Sequence, residues 1–282
     1  MAKVSVSSTI SAAFNFMGPG WKAAWGSLLL YGIASFAYLL WASSISSSLV
    51  GQTGAAALAS GLRNLASLPL LMILYGGAGL STYGALYRAS LDQENENGPA
   101  GLQWVTGEFR ILGAMLLLGL AALPVLLILG GAIGILAASV RGPAANSAAL
   151  LSFMPLLMLI LVPLFIWISI RLSPFLAATI DQRKIVVFGV WSLTAGNFWP
   201  IFGALLVVGL ASFGVSLVGS TVAMVIRATE GAIQHPTPAQ LVVPCLIQAG
   251  CIVALLPAKV GVVAAIYRSL RPGQSNVAEV FS

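Results

Sequence analysis

Charges set inside long apolar runs are where chemistry would be sought in this chain, because a charge in hydrocarbon is costly and usually serves a function. Lys259 meets that description: it follows Pro257 within an apolar run that extends to Tyr267. Two readings are open for it. It faces a polar cavity or an anionic headgroup, or its aliphatic stem carries the ammonium about two turns along the helix to the membrane surface. Pro257 withholds an N–H and so frees a backbone carbonyl one turn earlier. No Asp, Glu or His falls inside a predicted span, which argues against a proton-coupled pump and against an aspartyl intramembrane protease. His235, the lone histidine, sits in an outer loop and cannot build a metal site by itself. Cys245 and Cys251 are six residues apart and project from different faces of a helix, so they are expected to pack rather than to bridge or bind metal. The chain has no His-Glu-x-x-His, no Gly-x-Ser-x-Gly and no phosphate loop. No catalytic, cofactor-binding or metal-binding residue is therefore identified, and neither enzymatic activity nor a cofactor is expected.

A second set of residues could act on lipid. Arg88, Arg171, Arg183, Lys184, Arg268 and Arg271 lie at the ends of apolar runs. There they are candidate contacts for lipid phosphates, worth roughly 1 kcal/mol each near an anionic surface. The same residues set topology, and one side chain can do both.

The elements that position these groups follow from composition. The 282 residues are 59% hydrophobic and 7% charged, against roughly 25% charged in a soluble domain. Such a chain cannot cover a water-facing surface and must meet hydrocarbon over most of its length. The net charge of +6 is spread over run ends, with no basic cluster on an aromatic platform, so nucleic acid is not an expected partner. The stretch Val4 to Gly20 is mixed in polarity, not a short apolar core with a cleavage site, so the first membrane segment is expected to be retained.

About 20 apolar residues cross a bilayer as a helix. Six stretches qualify: Trp25–Leu49, Leu65–Tyr87, Ile111–Val140, Leu150–Leu172, Phe198–Ile226 and Leu241–Tyr267. The expected fold is an all-α integral membrane protein, a single domain over residues 1–282. Lys3, Lys22, Arg88, Arg110, Arg171, Arg183, Lys184, Arg268 and Arg271 fall on one side of this arrangement, and Arg63, Arg141 and Arg227 on the other. The positive-inside rule then places both termini in the cytoplasm. Trp21, Trp25, Tyr87, Trp104, Trp199 and Tyr267 fit an interfacial aromatic belt. Gly130 with Gly134, the run Ser212, Ser216 and Ser220, and Gly76, Gly77 and Gly79 are expected to let helices approach closely.

An internal repeat organises the spans. Phe109-Arg110-Ile111-Leu112-Gly113-Ala114 parallels Trp199-Pro200-Ile201-Phe202-Gly203-Ala204, with Trp21-Lys22-Ala23-Ala24-Trp25-Gly26 a looser copy. The far ends match as well: Tyr87-Arg88-Ala89-Ser90, Arg171-Leu172-Ser173 and Tyr267-Arg268-Ser269. Three tandem hairpins, roughly 1–90, 91–172 and 173–282, are expected in parallel orientation, with a pseudo-threefold arrangement. Ser173 to Asn197 is too polar to span and too apolar for a plain loop, so it is read as one or two short amphipathic helices in the interface. Thr9 to Phe16 is a similar case. Leu91 to Gly107 is acidic and turn-forming and is read as an exposed loop.

The segment Arg171-Leu172-Ser173-Pro174-Phe175, followed by Trp191-Ser192-Leu193-Thr194-Ala195-Gly196-Asn197-Phe198-Trp199-Pro200-Ile201-Phe202-Gly203, resembles one found in bacterial multi-pass membrane proteins similar to the membrane domain of some glycerophosphodiester phosphodiesterases. The resemblance implies a six-helix inner-membrane domain with amphipathic cytoplasmic segments. It does not carry phosphodiesterase activity, because the catalytic domain is absent. The expected role is a non-enzymatic membrane module that organises or binds lipids or a partner protein. The alternatives are a transporter or channel for a small or lipid-like solute and, behind it, an intramembrane enzyme. Expected partners are membrane lipids, anionic ones included, with a protein partner or a homo-oligomer left open.

Overall fold

The computed structural model describes residues 4–49, 67–93, 98–102, 106–139, 147–229 and 238–271. Lys3, Arg63, Trp104, Arg141 and His235 lie outside them, as do the side chains of Gly130, Gly134 and Arg227. The described residues form α1 (Val6–Asn15), α2 (Met17–Ala23), α3 (Trp25–Leu49), α4 (Leu68–Ser90), α5 (Thr106–Ser139), α6 (Ser147–Leu172), α7 (Phe175–Asp181), α8 (Val190–Leu193), α9 (Phe198–Thr229), α10 (Pro238–Ala254) and α11 (Leu256–Leu270), with a short 3₁₀ turn at Pro99–Gly101. Six segments are long and apolar enough to cross a membrane: α3, α4, α5, the end of α6 continuing into α7, α9, and α10 with α11. The chain is an all-α multi-pass membrane protein.

Local chemistry explains several boundaries. The serine-rich end of α3 stays helical because Ser43 and Ser44 donate to the carbonyls of Leu40 and Trp41 at 2.8 and 2.7 Å, which satisfies each hydroxyl inside the helix. Ser212, Ser220 and Thr221 in α9 use the same device four residues back. Pro69 and Pro257 each occupy a helix's first turn, where the missing N–H costs no intrahelical bond. Pro257 cannot continue the ladder of α10, so the sixth span breaks at Leu255 and restarts as α11.

Two expected boundaries shift. The fifth helix starts at Thr106, so Glu108, Phe109 and Arg110 belong to a membrane helix and not to its approach. The stretch before it is only partly an exposed loop. Its 3₁₀ turn folds inward: Gly101 is buried, and a Cβ added there would sit 3.1 Å from the Ala23 carbonyl and the Ala85 side chain. The reversal uses left-handed backbone at Asp92, Gly98, Ala100 and Gly101, at φ values of 61, 54, 61 and 71°.

Helix neighbours run in the order α5, α4, α3, α10, α9, α6 around the bundle. Within it α3 with α4 and α9 with α10 are neighbours in both sequence and space, while α5 and α6 stand at its two ends. The α4 end, the α5 start, the α6 end, the α9 start and the α11 end all meet at one end, through Arg88–Glu108, Arg171–Trp191, Tyr267–Asp181 and Val4–Asn197. This basic face also carries α1, α2, α7 and α8. At its centre α11 touches α1, α2, α4, α7 and α9. One core joins Leu28, Leu86, Leu176, Val260 and Tyr267; a second joins Ala13, Ile201, Ala258 and Ile266. α1 buries Thr9 and Ala13 on that core and exposes Ser5, Ser7, Ser8 and Ser11. Away from the basic face, residues 119–124 of α5 and 162–169 of α6 are exposed around the whole helix, as suits side chains meeting lipid.

The 3₁₀ turn locks α3 in place through Gly26, where a Cβ would lie 2.6 Å from the Ala100 side chain and 2.9 Å from its carbonyl oxygen. Gly26→Val forces two backbones apart and is expected to cost about 1–3 kcal/mol, read as a lower melting temperature in detergent. An unchanged melt would show that this contact does not hold the turn.

Candidate functional site

Three spans end on arginine at the basic face, and each arginine is tied to a different neighbour. Arg88, in the last turn of α4, donates from Nη1 to the Glu108 Oε1 at 2.5 Å. The two side chains are 3% and 0% exposed. Both charges complement their helix ends, a cation at a C-terminus and a carboxylate in a first turn. Glycines make the space. A Cβ at Gly84 would collide with the Glu108 carboxylate, and one at Gly107 would lie 3.6 Å from the Arg88 Nη1.

Arg171, in the last turn of α6, sits 5.7 Å from the ring centroids of both Trp167 and Trp191. The rings themselves meet edge to face at 5.0 Å. Its Nη1 donates to the Trp191 carbonyl at 3.4 Å, and Thr194 Oγ1 donates to the Arg171 carbonyl at 3.2 Å. Cation–π contact and these bonds fasten α6 to α8. Arg268, in the last turn of α11, donates from Nη2 to the Ser90 carbonyl and, at 2.8 Å, to the Asp92 carboxylate. Arg271 pairs with Asp181 at 3.3 Å, and Tyr267 donates its hydroxyl to the other oxygen of that carboxylate at 2.8 Å.

The six candidate headgroup contacts therefore separate. Arg88 is 2% exposed and turned into the protein; it is not a headgroup contact, because its guanidinium is committed to a buried carboxylate. Arg171 is enclosed by two indoles. Arg268 and Arg271 are 42% and 49% exposed, each beside a carboxylate. Arg183 and Lys184 are exposed on the turn between α7 and α8, where Arg183 takes a left-handed φ of 52°. Lys259 is exposed in the first turn of α11.

Sequence reasoning does not single out Glu108, Asp92 or Asp181. They are the acidic residues among those described, and each is ion-paired. The signal for Glu108 is a lone acid at the start of an apolar run, 20 residues after an arginine that ends the previous one. Among the described residues no three His, Cys, Asp or Glu side chains come together to hold a metal ion. Cys245 and Cys251 are free thiols; the first lies 3.8 Å from the Ser43 hydroxyl, and the second packs where a Cβ at Gly219 would be. The arrangement of charges ties helices together and leaves a cationic rim.

The buried pair generates a prediction. Glu108→Ala strands a guanidinium in a dry notch and is expected to destabilise by about 3–5 kcal/mol, while Arg88→Met with Glu108→Leu recovers most of that loss. Thermal unfolding in one detergent checks both; equal stability of Glu108→Ala and the native chain would defeat the reading. Compared with known families, curated proteins and solved structures, the chain matches none.

Proposed function

We propose that this chain is a non-enzymatic module of the bacterial cytoplasmic membrane that binds and organises lipids, anionic lipids above all. The observation that carries the reading is the turn between α7 and α8. Arg183 and Lys184 are exposed there beside Ile185 and Phe188, which are 49% and 57% exposed. Cations next to exposed apolar groups at the end of membrane spans suit phosphates above and acyl chains below. Trp25 and Trp199, 56% and 74% exposed at the same end, add the amphipathic rings that favour headgroup depth. The excess of Lys and Arg on this face supports a cytoplasmic orientation for it and for both termini. The matching segments at Phe109 to Ala114 and Trp199 to Ala204 support three hairpin repeats around a pseudo-threefold axis.

A transporter or channel is the second reading, favoured by Lys259 and by the break at Leu255 that precedes it. Solute flux through proteoliposomes that is lost in Lys259→Met would favour it over the lipid module.

The test of the first reading is the double substitution Arg183→Ala with Lys184→Ala. At roughly 1 kcal/mol for each cation, the pair removes about 30-fold of preference for anionic over zwitterionic lipid at low salt, and less at high salt. Quenching of the interfacial tryptophans by brominated lipids of each class measures that preference. An unchanged ratio would overturn the proposal.

A further inference from the structure

Between α1 and α11 the basic face opens a cleft of about 350 Å³, within the size range of small-ligand sites. Its origin is local. α1 is drawn tightly against α11 at Gly261, where a Cβ would lie 3.1 Å from the Phe16 ring and 3.2 Å from the backbone of Ala13. One turn further along, Ala264, Ala265 and Ala12 are too small to fill the gap between the diverging helices, and the cleft opens there. Arg268 closes its far end, near the end of the sixth span and hence at headgroup depth.

The lining mixes hydroxyl and apolar groups, and two of its hydroxyl residues, Thr9 and Ser90, are buried. Ser8, Thr9, Ser90 and Ser269 contribute hydroxyls, and Phe16, Gly261 and Ala264 apolar surface. Both protein bonds of the Arg268 guanidinium use Nη2, toward Ser90 and Asp92. Nε and Nη1, with three of the five N–H donors, donate to no group among the described residues. The Asp92 carboxylate is 86% exposed, and an ion pair so wetted is worth little, so it leaves the guanidinium free to take a second anion. Each hydroxyl already donates to its own helix backbone: Ser8 and Thr9 to Ser5, Ser90 to Tyr87, Ser269 to Ile266. They therefore offer lone pairs to the cleft, which suits a ligand that brings its own hydroxyl or ammonium donors beside an anion.

We infer that this cleft binds a phosphate ester carrying such donors, with the phosphate on the N–H groups of Arg268 Nη1 and the donors on the hydroxyls of Ser8, Thr9, Ser90 and Ser269. A phospholipid headgroup and a soluble ester such as glycerol 3-phosphate share that chemistry; the apolar surface and the depth of the cleft favour the lipid. The inference deepens the lipid-binding reading above but uses residues distinct from Arg183 and Lys184.

Thermal stabilisation of the full chain in detergent tests it, with phosphatidylethanolamine, diacylglycerol of the same acyl chains, and glycerol 3-phosphate as separate additions. Phosphatidylethanolamine is expected to raise the melting temperature and diacylglycerol to leave it unmoved. Ala265→Leu fills the cleft without touching a charge, and Arg268→Gln removes the guanidinium; each is expected to raise half-saturation at least tenfold. The Arg183→Ala, Lys184→Ala variant is expected to respond to this zwitterionic lipid as the native chain does. Stabilisation by glycerol 3-phosphate equal to that by lipid upholds the site and assigns it to a soluble ester. Equal stabilisation by diacylglycerol, or a native response from Ala265→Leu, overturns it. A native response to phosphatidylethanolamine in both Arg268→Gln and Ala265→Leu, beside lost anionic preference in the Arg183→Ala, Lys184→Ala variant, would overturn the cleft and leave the surface reading standing.

Discussion

The ion pair between Arg88 and Glu108 fixes where the first two hairpins meet, and the rest of the basic face is arranged around such fixtures. Two formal charges, 3% and 0% exposed, are stable together only because each neutralises the other and both helix ends favour them. The pair demands glycine at Gly84, since any side chain there would occupy the carboxylate's place. It also demands that α5 begin at Thr106, so that Glu108 lies in its first turn. The 3₁₀ turn under Gly26 lies in the connection between these two helix ends.

The same device recurs at the other hairpin ends with different chemistry. Arg88 is answered by a carboxylate, Arg171 by two indoles and a carbonyl, and Arg268 by a carbonyl and an exposed carboxylate. These arginines each end an apolar run and are graded in exposure. The innermost is committed to structure. The outermost keeps donors that no described residue takes, beside a cleft.

The six spans are legible in sequence because a charge-poor run of about 20 residues has few alternatives to a membrane helix, and Trp25–Leu49 has the same boundaries in sequence and structure. Short helices do occur within Ser173 to Asn197, as α7 and α8, but α7 buries five consecutive residues, Leu176 to Ile180, and not a single stripe. What sequence does not disclose is partnership. Arg88, Arg171 and Arg268 look alike along the chain, and only tertiary neighbours decide which is buried, stacked or wet. Glu108 is hidden by a boundary drawn at Ile111, because a polar first turn dilutes the apolar signal that marks a span. The break at Leu255 is foreshadowed by Pro257, but that α11 then occupies the centre of the basic face depends on packing that no local pattern records.

That central position explains why the third hairpin differs from the other two. An unbroken sixth span would run straight past α1, as α4 runs past α3. The restart at Leu256 instead turns the last 15 residues inward, and small residues on several sides accept neighbours: Gly261 receives α1, and Gly20 of α2 comes within 3.0 Å of Pro257, measured from an added Cβ. Ala258, Val262 and Ile266 then pack on the second core with Ile201 and Ala204 of α9, while Val260, Ala264 and Tyr267 pack on the first. Two faces of one helix therefore join the two cores. A helix used on both sides has little side-chain volume left for a third contact, and the gap beside Ala264 and Ala265 is the geometric residue of that compromise. It lies where a span ends, under an arginine with unused donors, which is the position a bilayer fills with headgroups.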